Sequence, residues 1–480
     1  MVQEPNEIIY VTKNILSKRN KKLLVIPKIE NDLKLQIQNI KKKNILMILI
    51  GCILSKFGII LCQQLCSYSQ SQVIDQNQSY KFNIIQYFSV LFSQGLLGFT
   101  VDLISLSSSW RFTQCVCIIG MLIFILASQS QNSQIIIVAN ILIRFSQGCN
   151  YICGTYILYD SSYYLKKRFL YQSLFILIGS FGGFLIYLIL DWLSILNKIN
   201  QKYLIQVICV CLLINLIGDI IVSQFYNKLD KIKLMSQSYQ QYLQSRGVAI
   251  SLRAIFNYYW NENIIYLAIT MISYRSMSSV NNVLFTITNI QQNKQINLSN
   301  NLAELLKMLF YLSTITIGII IMYRIQKRKK VIQFSYQITR NFMVITTIAQ
   351  ILLTATLYFQ NKLNLYLIYP LLIIILITKG IAFILSSILC NQLLISLQSE
   401  KSSIRCMGIG IFGICQNLFE IFYYLSINPI ILNSILSLVG ILFLLYSFYY
   451  LQNRRFDLID QKLNQSKLGE PLISVDNSNA

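Results

Sequence analysis

From Ile45 to Leu451 the chain is divided into twelve apolar runs of about 18 to 27 residues each, separated by short polar stretches. They cover 45–66, 83–103, 111–128, 134–157, 169–190, 203–224, 263–287, 302–323, 341–359, 364–390, 407–427 and 429–451. About 20 apolar residues are what an α-helix needs to cross the hydrocarbon core of a bilayer. Within that core every backbone N–H and C=O must be bonded inside the protein, and runs of this length meet the demand as helices. The expected fold class is therefore all-α: a polytopic membrane protein with twelve transmembrane helices. Composition agrees, since 55% of the residues are apolar and only 12% charged, about half the usual globular share of charge.

Charge placement sets the expected topology. The formal net charge is +23, but the basic residues punctuate the apolar runs instead of building one exposed face. That excludes a nucleic-acid-binding reading, which needs a contiguous basic footprint. With the N-terminus in the cytoplasm, 31 of the 41 Lys/Arg fall on cytoplasmic segments, five on the other side and five within spans. This asymmetry orients the bundle with both termini cytoplasmic. The expected domains are a basic tail (1–44), a six-span half (45–224), a cytoplasmic connector (225–262), a second six-span half (263–451) and a cytoplasmic tail (452–480). No cleavable signal peptide is expected, because the first 44 residues are polar and basic. Two N-x-[ST] sequons, at Asn77 and Asn297, fall in loops of the opposite side.

The five basic residues within spans are Lys56, Arg144, Arg275, Lys307 and Lys379. Four of them lie about halfway along spans 1, 4, 7 and 10. An unpaired cation facing lipid is expensive, so these side chains are expected to face a polar interior. Lys56, Arg144, Arg275 and Lys379 are the candidate substrate-binding residues, and they point to a solute with a carboxylate or phosphate. Intramembrane acids are few. Asp219 and Glu420 are possible charge partners, while Glu304 and Lys307, three apart on one helix face, are placed to pair with each other. Neutral polar side chains such as Gln147 and Asn150 could orient the solute. Histidine is absent, which removes the commonest proton relay and metal ligand. The twelve cysteines lie mostly inside apolar runs, and Cys149 and Cys153 have no second ligand pair. They read as packing residues. No metal, cofactor or enzymatic activity is expected, as no nucleophile–base pair stands out.

Several stretches resemble the major facilitator superfamily. Arg144-Phe145-Ser146-Gln147-Gly148, followed by a basic loop of Lys166, Lys167 and Arg168, is similar to that superfamily's fourth helix and the loop after it. Gly98-Phe-Thr-Val-Asp102 after span 2 keeps the glycine-to-aspartate spacing of its signature loop. After span 8, Gly318 is followed by Arg324, Lys327, Arg328, Lys329 and Lys330, with Met322 at the aspartate position. The resemblance implies two pseudo-symmetric six-helix halves, spans 1, 4, 7 and 10 lining a central cavity, and a gating role for Asp102, Arg324, Lys327 and Arg328. The glycines of span 5 (Gly179, Gly182 and Gly183) read as helix-packing positions.

A narrower resemblance, carried by Tyr164-Leu165-Lys166, Gly408, Gly413, Gln416-Asn417-Leu418 and Tyr450-Leu451-Gln452-Asn453-Arg454, is to the lysosomal dipeptide-transporter branch (the major facilitator superfamily domain-containing protein 1 type). Where that branch has an acid in helix 4 and a base in helix 5, this chain has Ile152 and Gly183. The segment Glu4-Pro5-Asn6-Glu7-Ile8-Ile9 resembles its acidic dileucine sorting signal. The implied function is uniport of a dipeptide or amino-acid-like solute across an endolysosomal membrane, with a glycosylated single-span accessory subunit as a possible partner. Two alternatives stand beside it. One is an organic-anion or organic-phosphate exchanger with Lys56 and Arg275 as the clamp. The other is a non-transporting membrane receptor or scaffold.

Overall fold

The structure is a computed structural model that describes residues 44–67, 69–70, 76–103, 106–130, 132–162, 170–177, 201–234, 300–327, 331–358 and 370–381. It also describes positions 182, 185, 410, 413–414, 417–418, 421, 435, 438–439 and 442, with the side chains of some helical residues left out. Among the described residues all but Asn132 and Lys327 are α-helical, which bears out the all-α reading. Span 1 is the helix Asn44–Ser67. Spans 2, 3, 4 and 6 are Gln76–Leu103, Leu106–Ser130, Ser133–Ser162 and Gln201–Leu234. Spans 8 and 9 are Asn300–Gln326 and Val331–Tyr358, and span 10 is described over Pro370–Ile381.

Several helices outrun the apolar stretches that announced them. Span 2 begins at Gln76 instead of 83, span 9 at Val331 instead of 341, and span 6 runs to Leu234 instead of 224. Hydropathy marks only the lipid-embedded part, whereas the hydrogen-bond ladder continues wherever propensity allows. Residues 225–234 of the expected connector therefore continue the span 6 helix, and Asn77 lies in the first turn of span 2. Span 4 starts on a side-chain cap, with Asn132 Oδ1 accepting from the Gln134 amide at 3.0 Å. Hydroxyls within the spans bond the carbonyl one turn back: Thr113 to Ser109, Ser128 to Phe124 and Thr347 to Met343. This keeps them satisfied where no water competes.

The lipid face is apolar. Leu122, Leu126, Ile217, Ile220, Leu352 and Leu442 are all exposed. Polar side chains such as Ser55, Gln114, Asn150 and Asn215 are buried, the reverse of a water-soluble helix bundle. In the first half span 3 packs along spans 4 and 6, and span 4 along span 2. Two apolar cores result. One gathers Trp110, Cys149, Ile152, Cys153 and Phe175; the other gathers Ile59, Cys62, Met121, Phe124 and Ile143. Spans 1 and 6 touch backbone to backbone, because a Cβ at Gly218 would lie 2.7 Å from the Gly51 oxygen and one at Gly58 2.7 Å from the Cys211 oxygen. Small residues at such crossings let helices approach closely and interdigitate.

Two seams join the halves. In the first, Asn417 Nδ2 of span 11 donates to Gln94 Oε1 of span 2 at 2.7 Å. Gly410 lies against Gly98, and Gly413 lies against the Gln94 side chain. In the second, Ile176 and Leu177 of span 5 share one apolar cluster with Ile325 of span 8 and Ile381 of span 10, backed by Phe334 and Phe342 of span 9.

Candidate functional site

The candidate cations are set at different heights and in different surroundings. Lys56 follows Ser55, and adjacent helical residues point about 100° apart. Ser55 therefore turns into the first half. Its hydroxyl donates to Asn215 Oδ1 at 2.9 Å and accepts from Gln114 Nε2 at 2.8 Å and Asn150 Nδ2 at 3.2 Å. This network ties spans 1, 3, 4 and 6 together, so Asn150 serves the helix core. Lys56 turns toward span 5. Its Nζ donates to the Phe175 carbonyl oxygen at 2.7 Å and sits 4.1 Å from the centroid of the Phe175 ring. A carbonyl dipole and an aromatic face thus stabilise this partly buried ammonium together.

Arg144 lies toward the opposite end of the bundle. Its guanidinium carbon is 5.7 Å from the centroid of the Tyr87 ring of span 2, at the outer range of a cation–π contact. One helical turn away, Gln70 Oε1 accepts from Gln86 Nε2 at 2.5 Å and from Asn140 Nδ2 at 2.7 Å, linking spans 1, 2 and 4. Gln147, one turn further along span 4, is half-buried.

Lys379 differs from both. It is 0% exposed, and its Nζ meets no hydrogen-bond acceptor among the described residues. It sits about 14 Å along the span 10 helix from Pro370, two residues from both Ile377 and Ile381 and so about 200° around the helix from the face they give to the second seam. An ammonium in such a place costs several kcal/mol unless an anion comes to it.

The other expected residues are placed less fully. Arg275, Glu420 and Arg328 lie outside the described residues, as does Gly183. Asp102 lies in the last turn of the span 2 helix and Lys307 within span 8, and neither side chain is described. Asp219 Oδ1 accepts from Trp110 Nε1 at 2.9 Å and from Ser223 Oγ at 3.4 Å. Arg324 is exposed in the last turn of span 8, where a cation suits the negative end of the helix. Lys327 is exposed beside it, 4.3 Å from the Tyr323 ring centroid. Ile152 is fully buried in the first core, and Cys149 and Cys153 pack there with it. No group of three metal-ligating side chains occurs among the described residues.

Phe175, Gln94 and the Gly51–Gly218 crossing were not foreseen. Phe175 acts partly through its main-chain oxygen, which leaves no mark in a sequence. Gly51, Ser55 and Gly58 did carry a signal, a run of small residues at helical spacing in span 1.

No family model matches the chain, and no curated protein matches it in sequence. Among solved structures it is similar to the major facilitator superfamily proton:xylose symporter XylE, bound there to 6-bromo-6-deoxy-D-glucose. The TM-score is 0.59 at 10% identity, covering 85% of this chain and 96% of that one. The protein is an all-α, multi-pass membrane protein with the fold of the major facilitator superfamily.

Proposed function

We propose that the chain is a secondary transporter that moves a small, polar, carboxylate-bearing solute by alternating access, the two halves rocking about a site between them. The observation that carries the reading is Lys379, a fully buried lysine within span 10 whose Nζ has no acceptor among the described residues. A cation kept there at such a cost is explained by an anion that comes and goes. The resemblance of Tyr164-Leu165-Lys166, Gln416-Asn417-Leu418 and Tyr450-Leu451-Gln452-Asn453-Arg454 to the lysosomal dipeptide-transporter branch adds a dipeptide or amino-acid-like solute, moved by uniport across an endolysosomal membrane with both termini cytoplasmic. A glycosylated single-span partner belongs to the same reading, and the expected domain division at 225–262 supplies the joint between the rocking halves. Arg144 and Arg275 are the further cations proposed to meet the solute, with Glu420 as a charge partner and Asp102, Arg324, Lys327 and Arg328 at the gate.

The test is uptake into proteoliposomes of glycyl-leucine, succinate, glucose 6-phosphate and glucose. Glycyl-leucine or succinate is expected to enter, and Lys379→Met to lower that uptake at least tenfold without lowering the melting temperature. Glucose 6-phosphate exchange alone would select the organic-phosphate alternative. Uptake of glucose alone, unaffected by Lys379→Met, would refute the anionic site. No flux of any solute would favour a receptor or scaffold.

A further inference from the structure

Phe175, Ile176 and Leu177 are consecutive, yet they serve opposite halves. Phe175 is buried in the first half's core, its ring against Gly154 of span 4, and it receives the Lys56 ammonium on its carbonyl and ring. Ile176 and Leu177 belong to the seam with Ile325 of span 8 and Ile381 of span 10. Successive helical residues point about 100° apart, so one turn of span 5 can face both ways. The orientation of that turn is set on one side by Lys56 and read on the other by the seam.

We infer that Lys56 is a latch that holds the Phe175–Leu177 turn in the position that closes the seam, and that an anionic group reaching Lys56 releases it. Lys56 then does different work from Lys379: Lys379 receives the solute, and Lys56 reports its arrival to the contact between the halves. The inference rests on the proposed anionic solute only for the identity of the trigger. A carboxylate is a stronger partner for an ammonium than a neutral carbonyl. An ammonium on a flexible four-carbon stem can turn from one to the other without moving its backbone. Once it has turned, the span 5 turn has lost both its hydrogen bond and its ring contact with Lys56, and Ile176 and Leu177 are freed to leave spans 8 and 10. A ligand shifts such an equilibrium only through contacts that differ between the two states. The Lys56–Phe175 contact is one that the solute would break.

The test is hydrogen–deuterium exchange of the full-length protein in nanodiscs, followed on peptides spanning 170–182 and 310–326. Without any added solute, Lys56→Met is expected to speed exchange in both peptides by about tenfold, the scale of losing one charged hydrogen bond. Lys56→Arg, which keeps a cationic donor, is expected to stay near wild type. Lys56→Gln, too short to reach the carbonyl, gives the same reading as the methionine variant if that one cannot be purified. Exchange within twofold of wild type in both peptides, with the melting temperature kept, would overturn the latch. So would acceleration confined to 170–182, since span 5 would then be loosened without the seam noticing. Acceleration of both peptides in the variant, but none in wild type with 10 mM-scale succinate or glycyl-leucine, would uphold the latch and reject the proposed solute class.

Discussion

Gly218→Ala tests the packing logic of the first half with a sign that is unusual for this substitution. In an ordinary helix interior, alanine for glycine is stabilising by roughly 0.5–1 kcal/mol. Here a Cβ at 218 would lie 2.5 Å from the Ser55 nitrogen, 2.7 Å from the Gly51 oxygen and 3.0 Å from the Ser55 Cα. Ordinary contact begins near 3.5 Å, so spans 1 and 6 must part by about 1 Å. The opposing atoms are main chain, and no rotamer change can absorb the overlap. Overpacking of this kind costs about 1–3 kcal/mol. The same movement stretches the 2.9 Å bond from Ser55 to Asn215, one turn away on span 6, and losing a buried hydrogen bond costs about 1 kcal/mol or more. After the helix-propensity gain, a net loss of about 1–3.5 kcal/mol is expected.

The cysteines provide the assay. Cys52, Cys62, Cys66, Cys117, Cys149, Cys153 and Cys211 are buried, so a thiol-reactive fluorogenic dye reports unfolding. Gly218→Ala should melt several degrees below wild type. Gly95→Ala is the control. Among the described residues its Cβ would meet only the Ile414 side-chain tip, at 3.2 Å, a flexible neighbour that can yield, so its melting temperature should stay close to wild type. A Gly218→Ala protein that melts at or above wild type, or equal shifts in both variants, would refute the claim that spans 1 and 6 are fixed by backbone contact.

Asn215→Leu removes the acceptor for the Ser55 hydroxyl and should cost about 1–3 kcal/mol, seen as a lower dye-melting temperature with the lipid-facing variant Ile217→Leu as the unaffected reference. Asn417→Ala takes the donor from Gln94 at the first seam. It should leave the melting temperature nearly unchanged but speed deuterium exchange in residues 94–103 severalfold, and unchanged exchange there would mean that Gln94 and Asn417 do not hold the halves together.

Much of the fold was legible before any coordinates. Apolar runs of bilayer length leave the backbone few choices, so helices 1, 3, 4, 6 and 8 emerge as long apolar spans where they were expected. Helix ends were less legible, as span 2 shows: Gln76 to Phe82 is polar enough to leave the membrane but still helical. Single charges within apolar runs drew attention to Lys56, Arg144 and Lys379, because each would be costly in lipid. What those residues touch could not be read in the same way. Asn150, a candidate for solute contact, turns to Ser55, and Asp219, a candidate partner for a cation, accepts from Trp110 and Ser223.

The sequence by itself determined the membrane class, the helical character and the depth of the interior cations, because hydropathy and the cost of burying charge act residue by residue along the chain. The tertiary structure decided which cation is satisfied and which is not. Lys56 is held by a main-chain oxygen 119 residues away, and Lys379 is closed in without an acceptor among the described residues. Partnership depends on helix rotation and crossing distance, which are set by packing between spans far apart in sequence, such as Gly51 against Gly218 and Gly98 against Gly410. No local pattern encodes those distances, and they decide whether a buried charge is a structural fixture or is left to meet a solute.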